Sequence, residues 1–268
     1  MFSMSTNGGK KWSDAVQINQ SSGDCVDGDN TTEGAVPAIY VDGKIFVTWA
    51  YKNNIYFDRS YDNGNMWLQN DIMIAEQPGG WEMDIPGLSR SNGMPVLMID
   101  NSPSRYHGSL YLVWADQRNG ENDTDIWFMR STNRGDNWTT PMRINKDLPT
   151  ARLPDGQGQA GEKGKHQFLP WIAVDQATGY LYVVYYDRRN YDDLQTDVYL
   201  AYSTDGGSTF VESKISESPF VPSESKFFGD YNNISAHKGV ITPVWTRMDN
   251  GRTSVWTAVI KDTDLLKK

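Results

Sequence analysis

Four octapeptides in this 268-residue chain follow one template, S-x-[D/N]-x-G-x-x-[W/F]. Residues 5–12 read STNGGKKW, 60–67 SYDNGNMW, 131–138 STNRGDNW and 203–210 STDGGSTF. Each interval between them is long enough for about four short strands. The chemistry of the template is that of a hairpin turn. Asn7, Asp62, Asn133 and Asp205 are placed to accept hydrogen bonds from turn amides, and Gly9, Gly64, Gly135 and Gly207 to supply positive φ. Trp12, Trp67, Trp138 and Phe210 then anchor each turn against its own blade. One such octapeptide would constrain little; four in series demand a repeated hairpin architecture.

The segments between the turns repeat as well. A first strand (PAIYVD, PVLMID, PWIAVD) precedes a second (IFVTWA, LYLVWA, LYVVYY). A third (IYFDRS, IWFMRS, VYLAYS) runs into the turn, and a fourth follows it. Apolar and aromatic residues alternate over four to eight positions bounded by Gly, Asn and Asp, which specifies antiparallel strands rather than helices. A four-stranded unit that cannot bury both faces alone must stack on its neighbours, and radial stacking gives a β-propeller. The expected fold is therefore all-β, a single propeller domain over 1–268. Its blades fall near 34–76, 88–146, 167–216 and 228–262, with a partial one in 1–20.

Composition removes several function classes. No apolar run approaches the roughly 18 residues of a membrane span. With 25 Lys and Arg against 34 Asp and Glu, the net charge of -9 argues against a nucleic-acid or anionic-membrane surface. The aromatic share of 12% suits both half-buried strands and sugar-stacking surfaces. Cys25 is the single cysteine, so no intrachain disulfide forms, and His107, His166 and His237 lack metal-ligand spacing. No metal or other cofactor is expected from them. The opening residues MFSMSTNGGKKW have none of the features of a signal peptide.

The four octapeptides resemble those of the Asp-box, or BNR-repeat, β-propellers, best known from the exo-α-sialidases. The segments WEMDIPGLSRSNGMPVLMID, LVWADQRNGENDTDIWF, VVYYDRRNYDDLQTDVYLAYS and FFGDYNNISAHKGVITPVWTR are more narrowly similar to sialidase-like proteins of secreted bacterial contexts. The resemblance implies a secreted, monomeric glycoside hydrolase acting on the terminal acidic sugars of glycans. One departure is plain: the chain has no Arg-Ile-Pro, the family's N-terminal sugar-gripping motif. Strand arithmetic gives 17, one more than a closed four-blade ring needs. The expectation is thus a fragment of a larger, six-bladed ring, with an atypical closed small ring as the other reading. A non-catalytic glycan- or protein-binding propeller is the alternative function, since such turns specify fold and not activity.

If each blade runs outward from its inner strand, loops 21–35, 76–93, 147–167 and 217–230 share the face opposite the octapeptide turns. Four polar residues lead into inner strands there: Glu33, Asp84, His166 and Asp230, followed by Tyr231. They are expected to converge near the axis. Tyr231 is the candidate nucleophile, Glu33 or Glu162 its base, and Asp84 or Asp230 the acid, because sialidases depart from the two-carboxylate scheme by using a tyrosine. The triplets 116–118, 187–189 and 247–249 each hold one acid and one base two apart, so Arg118, Arg189 and Arg247 can pair within a blade. Arg90 and Arg188 fall outside that pattern and are the candidates for gripping a carboxylate. Arg118, Arg247 and His166 complete the candidate substrate-binding set. Asp24, Asp27 and Asp29 in GDCVDGDN offer clustered oxygens to calcium, against the plainer reading of a solvated acidic loop.

Overall fold

The computed structural model describes residues 1–147 and 165–267. Four sheets of four strands account for nearly all its regular structure. The first holds β1 (Glu33–Ile39), β2 (Ile45–Tyr51), β3 (Asn54–Ser60) and β4 (Ile72–Glu76), antiparallel and in chain order. The second holds β5 (Val96–Ile99), β6 (Leu110–Asp116), β7 (Asp125–Ser131) and β8 (Met142–Arg143). The third holds β9 (Gln167–Val174), β10 (Leu181–Asp187), β11 (Asp197–Ser203) and β12 (Val211–Lys214). In the fourth, β13 (Asn233–His237) and β15 (Arg252–Thr257) flank the long β14 (Val240–Asp249). There β16 (Ile260–Lys261) continues the edge of β15 along β14, and a short α1 (Asp262–Leu265) follows.

Inner strand packs on inner strand, β1 on β5, β5 on β9 and β9 on β13, so the sheets are the blades of a propeller, each running from the axis outward. Their second strands show why the sequence permits this. All seven residues of β2, β6 and β10 are buried: β6 and β10 lie between two neighbouring blades, while Val47, Trp49 and Tyr51 of β2 are covered by Ile18, Tyr56 and Trp67. Three aromatic-rich clusters fill the boundaries. Phe46 and Phe57 meet Leu97, Trp114 and Trp127 between the first two blades. Tyr111 and Phe128 meet Ile172 and Phe210 between the next two, and Tyr186 and Phe168 meet Ile234 and Trp245 between the last. Strand β14 instead alternates buried and open, and β15 is exposed throughout. Before residue 21, where two strands were expected, there is one isolated bridge, Phe2 to Val16.

All four octapeptides close the same way. In the last, Ser203 Oγ donates to Asp205 Oδ1 at 2.8 Å and accepts from Gly207 N at 2.9 Å, while Asp205 Oδ1 accepts from Thr209 N at 2.9 Å. Serine 5, Ser60 and Ser131 repeat the pattern with Asn7, Asp62 and Asn133. Asp205→Ala should therefore lower stability by about 0.5 to 2 kcal/mol, by analogy with lost helix caps, and Asp62→Ala should act in the same direction. Thermal melting checks both, and two unchanged midpoints would remove the turn role.

The terminal aromatics correct one expectation, because they anchor the turn on the preceding unit rather than on its own blade. Trp138 packs edge-on to Phe57 at 5.5 Å, Phe210 to Phe128 at 5.1 Å and Trp67 to Phe2 at 5.0 Å. Trp12 has no such ring and is 60% exposed. An arginine reinforces two of these joints. Arg59 donates to Arg134 O at 2.7 Å and pairs with Asp136 at 2.7 Å; Arg130 donates to Gly206 O at 2.7 Å and Ser208 Oγ at 3.0 Å.

Candidate functional site

Three loops meet on the face opposite the turns, and Arg90 is the point where they join. Its guanidinium pairs with Asp27 from the first loop and donates through Nε to Asp230 Oδ1 at 2.8 Å from the last. Asn92 Nδ2 holds the Asp230 carbonyl at 2.8 Å. The first loop is pinned to the second by Trp81, whose Nε1 donates to Asp27 Oδ1 at 3.0 Å and whose backbone N donates to Asp29 Oδ1 at 2.7 Å. This approach requires glycine at the start of β1. Gly34 sits at φ +68°, and a Cβ there would run into the Trp81 ring at 2.6 Å.

Glu33 opens β1 beside Asp27. Its carboxyl is pushed above the usual range, first by burial and then by a hydrogen bond and repulsion from Asp27, against opposition from the Gly28 amide and Arg90. A carboxyl raised in this way holds its proton to higher pH than an ordinary glutamate and is suited to proton transfer. Around them stand rings rather than more charge. Tyr231 is 61% exposed and lies 5.9 Å from Trp171, and Phe227, 60% exposed, faces the Arg90 guanidinium at 5.9 Å. Flat exposed rings beside hydroxyl-binding groups suit the faces of sugars.

Of the four residues expected to converge, Glu33 and Asp230 are joined through Asp27 and Arg90. Asp84 instead lines a neighbouring cleft of about 380 Å³ with Asp29, Glu82 and Glu121, and its carbonyl accepts from Gln117 Nε2 at 3.3 Å. His166 is buried against Thr124 Oγ1 at 3.0 Å, and burial and then Arg188 push it down to about 4, which keeps the ring neutral. Glu162 lies outside the described residues. Tyr231 follows Asp230 in the chain and is exposed beside Trp171.

The arginines divide differently from the sequence reading. Arg90, expected to be unpaired, holds two carboxylates. Arg118 pairs with Asp116 at 2.5 Å and lies over Trp127 at 4.3 Å; Arg189 pairs with Asp187 at 2.5 Å, and Arg247 with Asp249 at 2.6 Å. These intrablade pairs engage the charges of Arg118 and Arg247, both substrate-binding candidates. Arg188 is 3% exposed, forms no ion pair with a described residue, and donates to Thr196 Oγ1 at 3.0 Å and Pro86 O at 2.6 Å. Its second terminal nitrogen meets no hydrogen-bond partner among the described residues, and burial pushes the group down to about 10. It therefore props the segment that carries Arg90.

A buried lone charge is costly, so Arg188→Met should leave unfolding stability unchanged or raise it. Loss of more than about 2 kcal/mol in urea melts would instead show that its two hydrogen bonds hold the fold.

The acidic run does not gather around a cation position. Asp24 Oδ1 accepts from Thr31 and Val26, Asp27 is held by Trp81 and Arg90, and Asp29 by the Trp81 and Glu82 amides. Carboxylate oxygens do approach within 4.8 Å of one another at Asp123, Asp125 and Asp147. Protein donors occupy that group: Asp125 accepts from Asn145 Nδ2 at 2.6 Å, Asn119 Nδ2 at 2.6 Å and Arg143 at 3.1 Å. Sequence reasoning missed the partnership of Asp27 with Glu33, and Trp81, Asn92 and Phe227 altogether. The only available signal for Asp27 was its place in an acidic loop.

No family model matches the chain, and no curated protein does. Solved structures do. The Hadza microbial sialidase Hz136 superposes over 86% of this chain and 46% of its own, with a TM-score of 0.54 and 14% identity. The NanB sialidase of Streptococcus pneumoniae covers 92% of the chain and 52% of its own at TM-score 0.51 and 13% identity. A GH93 α-L-arabinofuranosidase of Fusarium graminearum, solved with arabinobiose, covers 91% and 67% at TM-score 0.55 and 14% identity. The chain has the fold of propeller glycoside hydrolases. It spans about half the length of the two sialidases it matches. Among the described residues no helix is long and apolar enough to cross a membrane.

Proposed function

We propose that the chain is a secreted, sialidase-like glycoside hydrolase acting on glycans that end in an acidic sugar. The observation that carries this reading is the Glu33–Asp27 carboxyl pair, set beside the Arg90 guanidinium on the channel face. Glycoside cleavage needs a proton moved at the glycosidic oxygen, and a carboxyl held above its usual range is suited to that transfer. Arg90, whose side chain is 39% exposed, offers a fixed cation to the sugar's carboxylate while Asp27 and Asp230 hold it in place. Tyr231 supplies the oxygen that attacks the anomeric carbon; ionised Glu33 takes the phenol proton and passes it to the glycosidic oxygen, which leaves as the tyrosyl–sugar bond forms, and water then hydrolyses that bond to free the tyrosine. Trp171 and Phe227 bound the sugar from the sides.

The test is hydrolysis of two fluorogenic substrates, a 4-methylumbelliferyl α-sialoside and the matching α-L-arabinofuranoside. Release from the sialoside that is lost in Glu33→Gln supports the proposal. Release from the arabinofuranoside alone overturns the acidic-sugar specificity, and release from neither, with sialyllactose still bound, overturns the hydrolase.

A further inference from the structure

A second cleft of about 380 Å³ lies on the opposite face, at the joint between the first two blades. Tyr61, His107, Thr132, Arg134 and Asp136 line it. Its origin is visible in the octapeptides. Their fourth residue is left-handed in every copy, at φ 71° for Gly8, 60° for Asn63, 60° for Arg134 and 67° for Gly206. Glycine and asparagine tolerate that conformation, whereas a long side chain carries a steric cost. Arginine at 134 is thus the outlier, and an outlier of this kind points to a use.

The surroundings of Arg134 show what the use requires. Arg59 fixes its backbone by donating to the Arg134 carbonyl at 2.7 Å. The guanidinium lies 4.9 Å from the Tyr40 ring. Nearby Lys44 and Arg59 are paired with Asp42 and Asp136, but Arg134 forms no ion pair with a described residue. At the next joint the same position is Gly206, and the Tyr106 ring lies where a side chain would begin. The cleft also offers the half-exposed Tyr61 ring and the Thr132 hydroxyl. His107 bonds through Nδ1 to Ser102 O at 2.7 Å, which leaves Nε2 as the ring's other polar atom.

We propose that this cleft is a second saccharide site, separate from the channel-face site, which takes one singly charged acidic sugar. Arg134 binds the sugar's carboxylate, Tyr61 stacks on its ring, and Thr132 and Asp136 take hydroxyls. The Asp136 carboxylate in the lining disfavours a dianion such as phosphate and accepts from sugar hydroxyls, which is why a carboxylated saccharide fits better. The inference stands whether or not the chain is a hydrolase.

Titrations with N-acetylneuraminic acid, methyl glucuronide, lactose and inorganic phosphate test it, followed by calorimetry and by the His107 ring signals in NMR. The two acidic sugars should bind with a Kd of roughly millimolar order and move the His107 signals, and lactose should bind more weakly. Arg134→Gly should weaken the acidic sugars about tenfold or more without lowering the thermal midpoint, because glycine suits the left-handed backbone. Arg134→Gln, which keeps the bulk, should show the same loss, and Arg90→Ala should leave the His107 response intact. No His107 response to either acidic sugar at tens of millimolar, an unchanged response in both Arg134 variants, or phosphate binding as tightly as the sugars would each overturn the proposal.

Discussion

Glu33→Gln is expected to reduce turnover by about 10² to 10⁴, the usual contribution of a positioned proton-transfer group, while leaving the melting temperature nearly unchanged. The pH profile gives the sharper readout. Glu33 is raised above the ordinary carboxylate range, and among the causes after burial are the hydrogen bond and charge of Asp27. Glu33 must be ionised to take the Tyr231 proton, so the rate should rise as pH rises through that raised value. Asp27→Asn removes the neighbouring negative charge and should move the limb to lower pH. A limb that stays in place in Asp27→Asn would show that another group titrates. Carbon-13 NMR of the glutamate carboxyls reads the same shift without requiring turnover.

Gly207→Ala should be among the most damaging substitutions in the turns, together with Gly135→Ala, whose new Cβ would meet the Phe57 ring as closely. At φ +79° an alanine is strained, and its Cβ would overlap the Phe128 ring of the preceding blade. Left-handed strain of about 1 to 2 kcal/mol and overpacking of about 1 to 3 kcal/mol together predict a loss of roughly 2 to 5 kcal/mol. Gly9→Ala is the internal control. It shares the left-handed backbone, at φ +81°, with nothing within 4 Å of the new atom, so only the strain of about 1 to 2 kcal/mol should appear. Urea midpoints compare the two, and equal losses would mean that the aromatic joint between blades contributes nothing.

These cases show where the sequence was readable. Strand alternation and the Ser-x-Asp turn are local properties, with donors and acceptors no more than four residues apart in the bonds from Ser203 and Asp205. They could therefore be read directly. The order of strands from the axis outward followed from the same local logic. Glu33, Asp230 and Tyr231 were singled out because they lead into inner strands, a position the repeat defines. The ion pairs of Arg90 were not legible, since its partners stand 63 and 140 residues away in the chain. Asp84 and His166 shared the signature of Glu33 but face elsewhere, because loop conformation and not the repeat sets their direction. Arg134 was hidden inside the very motif that was read best, at a position the template leaves free.

The direction of the joints between blades bears on how the chain is made. Each octapeptide turn docks on a ring three residues before the serine of the preceding copy: Phe2 for the second turn, Phe57 for the third, Phe128 for the fourth. A newly synthesised blade thus finds its docking partner already outside the ribosome and waits for nothing downstream. Assembly can proceed vectorially, one blade at a time, with each completed blade templating the next and covering one side of its apolar second strand until the following blade covers the other.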